Sequence, residues 1–92
     1  MTATPYEFVA IAGSGTIATG LAAVASTSSG RVTMLVRSAE SAERALAAVE
    51  KASRRIPGAN PSRVTTTMEI GELAGAGLLV EAVVEDAGVK AD

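Results

Sequence analysis

Hydrophobic positions along the chain switch between two periods. Phe8 to Ala12 is a short apolar run bounded by Pro5 and Gly13, which predicts a buried strand. Between Thr16 and Ser26, residues Ile17, Leu21, Val24 and Ala25 recur at helical spacing, so a helix is expected with these four facing inward. The segment "STSSG" ends it, because hydroxyl side chains compete for backbone hydrogen bonds and Gly30 suits the positive φ of a helix terminus. "RVTMLVR", Arg31 to Arg37, is apolar and β-branched enough for a second buried strand.

"SAESAERALAAVEKASRR" follows as a second helix. Ser38 or Ser41 is its cap, Ala45, Leu46 and Val49 face inward, and Glu43 and Arg44 lie outside. "IPGANPS" is a turn cluster: Pro57 and Pro61 cannot continue a helix, and Gly58 and Asn60 tolerate left-handed backbone. "RVTTTM" is a third, more polar strand, "EIGELAGAG" a turn or two of helix, and "LLVEAVV", Leu78 to Val84, a fourth strand. The closing "EDAGVKAD" reads as the start of a further helix. Strands and helices alternating at these lengths imply an open α/β sheet, paired in parallel, with helices on both faces.

Composition narrows the chemistry. At 92 residues the chain makes one small domain with a thin core, and with 48% hydrophobic but only 2% aromatic residues that core must be Ala, Val, Leu and Ile packed closely. Neither Cys nor His is present. Disulfides, thiolate nucleophiles, imidazole bases and the commonest metal ligands are therefore excluded from these residues. A net charge of −2 without a basic cluster excludes a nucleic-acid groove. "MTATPYE" has no leader pattern and no apolar run approaches about 18 residues, so a soluble, cytoplasmic protein with no membrane partner is expected.

The break between the first strand and the first helix is "GSGTIA", Gly13 to Ala18. Gly13 permits a tight bend, and Gly15 lets a bulky anion approach the backbone where a side chain would collide. The helix then starts with its unpaired amides, and the positive end of its dipole, aimed at that anion. Ala18 takes the third position of GxGxx(G/A), keeping helix and strand close. Within a strand-helix-strand unit of about 30 residues this pattern points to dinucleotide binding on a Rossmann-like sheet, with Gly13, Ser14, Gly15, Thr16 and Ile17 at the pyrophosphate.

An NAD site usually places Asp or Glu at the end of the second strand, about 20 residues past the glycines. Here Arg37 and Ser38 stand there. A guanidinium and a hydroxyl suit a 2'-phosphate, so these residues favour NADP. Glu40 could neutralise Arg37 or reach the ribose itself, which keeps NAD open.

"VAIAGSGTIATGLAAVAS", "VTMLVRSAESAERALAAVEK" and above all "LLVEAVVEDAGVKAD" resemble the N-terminal part of the 3-hydroxyacyl-CoA dehydrogenases, the group that includes 3-hydroxybutyryl-CoA dehydrogenase. The resemblance runs from about Phe8 to the last residue. Its most specific portion is Glu81 to Glu85 followed by Val89 and Lys90. It implies hydride transfer between a 3-hydroxyacyl thioester and a nicotinamide, mostly with NAD, and places Ala82, Val83, Glu85 and Lys90 at the nicotinamide end of the cofactor. The family usually carries Asp where this chain has Arg37, and a longer helical insertion where this chain has "EKASRRIPGANPSR". The resemblance also puts the family's catalytic residues, acyl-chain contacts and helical domain after residue 92. The expectation is thus a Rossmann-like cofactor-binding piece, cut after its fourth strand, with acyl thioester met only by the full-length parent and with self-association through uncovered apolar surface. A stand-alone dinucleotide-binding regulatory module without catalysis is the alternative.

Overall fold

The computed structural model describes residues 7–81. Strands β1 (Phe8–Ala12), β2 (Arg31–Leu35), β3 (Val64–Thr67) and β4 (Leu78–Glu81) form one parallel sheet in the order β3-β2-β1-β4. Helix α1 (Thr16–Ala25) joins β1 to β2, helix α2 (Ala39–Ser53) joins β2 to β3, and short 3-10 turns cover Pro61–Arg63 and Ile70–Leu73. The expected open Rossmann-like sheet is therefore present. Its fourth strand is described to Glu81; the remainder of the expected strand, to Val84, and the expected final helix lie outside the described residues.

Strand alternation decides which side chains meet the helices. Val9, Ile11, Val32 and Met34 pack with Ala18, Ala22 and Ala23 of α1 and Ala45 and Val49 of α2. On the opposite face Phe8 and Ala10 pack against Leu73 from the 3-10 turn, with the Arg31 guanidinium over the Phe8 ring at 3.9 Å. Among the described residues helical structure thus lies on both faces, with α1 and α2 on one and the 3-10 turn Ile70–Leu73 on the other.

Helix α1 is rotated from its expected orientation: of Ile17, Leu21, Val24 and Ala25, only Ala25 packs against the core. Ile17 and Val24 are 62% and 54% exposed and Leu21 38%, whereas Ala18 and Ala22 are fully buried. Nearly every position of this helix is apolar or small, so two adjacent stripes share the helical period. The stripe of small side chains wins the sheet because it brings the helix axis closer to the strands. Helix α2 turns Ala45 and Val49 inward as expected, but Leu46 is 38% exposed, the bulkier side chain again left at the rim.

Two loop residues also differ from expectation. Gly30 has no positive φ; a Cβ there would stand 3.0 Å from Glu7 Oε1 and 3.3 Å from the Glu7 carbonyl, so glycine serves close approach. Asn60 is extended and uses its side chain instead, accepting from the Ser62 amide at 3.1 Å to cap the 3-10 turn. Gly58, at φ 87°, is left-handed as expected.

The end of α1 is tied to this turn. Buried Ser26 donates to the Ala23 carbonyl at 2.7 Å and accepts from the Asn60 amide at 2.9 Å. Arg63 donates to the carbonyls of Ser26 and Ser29 at 3.1 and 3.3 Å. A cation at the negative end of α1 is also favoured by the helix dipole.

Candidate functional site

The carboxyl ends of β1, β2 and β3 open into a cleft of about 780 Å³. Open parallel sheets bind ligands at this edge, because loops leaving the strands in opposite directions part there. Gly13 to Gly15 form one wall, Leu35 to Arg37 and Ser41 a second, and Met68 to Ile70 a third.

The glycine turn is built by two different constraints. Gly13 has φ 136°, a conformation that side chains strain to adopt, and its amide donates to the Leu35 carbonyl at 3.1 Å, locking the turn to the end of β2. Gly15 is extended, with φ −79° and ψ −169°, which any residue can adopt. It lines the cleft with Gly13 and Ser14. Gly15 is the N-cap of α1 and offers no side-chain oxygen to the first turn, which also lacks an acidic residue. The Thr19 amide already bonds to the Gly15 carbonyl at 2.9 Å, so the amides of Thr16, Ile17 and Ala18 are those that α-helix geometry leaves unpaired.

Helix α2 starts the other way. Ser38 caps it, accepting from the Ser41 amide at 3.0 Å and donating to the Ser41 hydroxyl at 3.1 Å, and Glu40 occupies its first turn. Two helices thus begin at the same edge of the sheet, one capped by a serine with an acidic residue in its first turn and one with neither. The open end carries the donors and the positive dipole that a pyrophosphate needs. Gly15 lines the cleft at this end without a side chain, so the residues present fit a dinucleotide.

The other expected site residues are divided. Ser14 and Arg37 line the cleft with the glycines. Arg37 is exposed and makes no ion pair among the described residues; Glu40 pairs with Arg44 at 3.7 Å on the outer face of α2. Ser38 does not line the cleft and its hydroxyl is engaged in capping, while Ser41 does line it. Thr16 is exposed and borders a shallower groove between α1 and α2, and Ile17 is exposed on the outer side of the first turn, so either would serve through its backbone amide. Ala82, Val83, Glu85 and Lys90 lie outside the described residues. Ser41, Met68, Glu69 and Ile70 were not expected in the site; the signal that could have located the last three was their position just past the third strand, at the edge where such sheets bind.

Residues 8–92 match the family model described as "3-hydroxyacyl-CoA dehydrogenase, NAD binding domain". The chain belongs to this family. Among solved structures, 3-hydroxybutyryl-CoA dehydrogenase from Escherichia coli K12 is 30% identical with a TM-score of 0.70, over 92% of this chain and 20% of that one. FadB2 of M. tuberculosis is 24% identical at TM-score 0.73, over 97% of this chain and 34% of its own. (S)-3-Hydroxybutyryl-CoA dehydrogenase PaaH1 from Ralstonia eutropha is 20% identical at TM-score 0.74, over 92% and 34%. The last two likenesses bear on the fold alone. This chain spans between 20% and 34% of the length of these three proteins. A comparison with curated protein sequences finds no match. The family description supports dinucleotide binding, and no described helix is long and apolar enough to cross a membrane.

Proposed function

We propose that these 92 residues are the NAD(P)-binding portion of an oxidoreductase that transfers hydride between a 3-hydroxyacyl thioester and a nicotinamide, with NADP preferred over NAD. The observation that carries the cofactor reading is the uncapped N-terminus of α1, opening through Gly15 onto the cleft. When bound, the nicotinamide supplies the hydride acceptor or donor. The residues of this chain hold and orient it: the Thr16, Ile17 and Ala18 amides meet the pyrophosphate, and Arg37 meets the 2'-phosphate. By family resemblance, Ala82, Val83, Glu85 and Lys90 border the nicotinamide. No residue of a chain without His can act as an imidazole base, so in this reading that base belongs to a part of the parent outside these residues. A cytoplasmic place in fatty acid metabolism is part of the same reading and rests on the family.

Arg37 supports NADP because it is exposed at the cleft and unclaimed by Glu40. The family description, which names NAD, favours the other form. A charge-assisted contact to a phosphate contributes roughly 1.5 to 3 kcal/mol, or about one to two decades in affinity. Calorimetric titration decides between them. NADP should bind more tightly than NAD, the preference should shrink as salt screens an exposed charge, and Arg37→Asp should reverse the order. A cofactor ratio that Arg37→Asp leaves unchanged would make Arg37 a solvated strand end.

A further inference from the structure

Strands β2 and β3 deliver two opposite charges to the same place. Leu35 lies opposite Thr67 in the parallel register, and the Val36 amide continues the pairing by donating to the Thr67 carbonyl at 2.9 Å. Two residues past each member of that pair come Arg37 and Glu69. Adjacent strands run about 4.8 Å apart, so these side chains leave neighbouring strand ends, and both line the cleft. They form no ion pair with each other, nor with any other described residue. The Glu69 backbone is held by its amide donating to Thr67 Oγ1 at 3.1 Å, while its carboxylate has no hydrogen-bond partner among the described residues.

We propose that Glu69 is a second specificity-determining residue at the adenosine ribose, accepting from the ribose hydroxyls of NAD and opposing the 2'-phosphate of NADP. The acid that NAD sites usually carry at the end of the second strand is replaced here by Arg37, and the neighbouring strand supplies one instead. A carboxylate is an acceptor only, which matches a ribose that offers hydroxyl donors. It repels a phosphate carrying about −1.5 to −2 charges at neutral pH. With a guanidinium beside it the site takes both cofactors, and the balance of the two residues sets the ratio. This inference rests on the dinucleotide reading above.

The test is the dissociation constants of NADP and NAD for the 92-residue chain, its Glu69→Gln variant, and Glu69→Gln combined with Arg37→Ala, at low and high salt. Glu69→Gln should tighten NADP and weaken NAD, each by about two- to tenfold, and the gain for NADP should fade as salt rises. The double variant should lose most of its discrimination. Thermal melts of native and Glu69→Gln chains should coincide, since the side chain is exposed. If the native chain binds both cofactors and Glu69→Gln leaves their ratio unchanged, the role of Glu69 is overturned while the dinucleotide reading stands. Failure of the native chain to bind either cofactor overturns the dinucleotide reading and this one with it.

Discussion

Gly13 and Gly15 stand two residues apart and do different work. The first is required by the backbone: at φ 136° a Cβ is strained whether or not anything is bound, so Gly13→Ala should cost about 1 to 3 kcal/mol of stability. The second, in the proposed reading, is required by the ligand. Gly15→Val can keep the observed extended backbone but puts a branched side chain into the pyrophosphate's path, so cofactor binding should vanish while circular dichroism and the melting midpoint stay near native. Comparing denaturation and titration for the two variants separates the roles. Equal affinity in native and Gly15→Val chains would remove the turn from the binding site. Sequence spacing made both glycines conspicuous, but their dihedral angles distinguish them.

For helix α1, the question is which stripe faces the sheet. Ala18 and Ala22 have no exposed surface and Ala18 holds the third position of the glycine motif, so Ala18→Leu should overpack the interface and cost about 1 to 3 kcal/mol. Val24→Ser, on a side chain that is 54% exposed, should change stability by only about 0.5 kcal/mol. Urea denaturation of both variants checks the assignment, and a larger loss for Val24→Ser would restore the face expected from periodicity. At its other end α1 depends on Ser26. Ser26→Ala leaves the Asn60 amide without its acceptor, at a cost of about 1 to 3 kcal/mol, measurable in the same experiment. That contact joins residues 34 apart in sequence, which is why no local pattern revealed it.

At the scale of the molecule, the described surface carries exposed large apolar side chains on α1, on β4 and, at Met68 and Ile70, beside the cleft. Ile17 and Val24 are exposed on α1, and Leu79 on β4 is 55% exposed; among the described residues β4 pairs only with β1. Apolar strands with one free edge pair with other chains. The 92-residue polypeptide should therefore self-associate as its concentration rises, with Leu79→Lys shifting it toward monomer in sedimentation velocity. A monomer at every concentration would show that this surface is too small or too divided to drive association.

The sequence by itself determined the order of elements, their parallel pairing and the glycine turn between β1 and α1. Those depend on neighbours within a few residues: an apolar run, a glycine pair, a serine cap, a proline stop. Ser38 as cap of α2, Gly58 as a left-handed turn residue and Ala18 as a close-packing position were all legible for that reason. Tertiary structure alone decided the rest. Which stripe of α1 meets the sheet depends on how near the helix can approach the strands, and a helix that is apolar nearly all round carries no local signal of that. Gly30 is explained only by Glu7, which packs beside it from before β1. Glu69 lines the same cleft as Arg37 because β2 and β3 pair in parallel with Leu35 opposite Thr67; its place just past the third strand was legible, but that it shares a cleft wall with Arg37, 32 residues away, follows only from strand pairing.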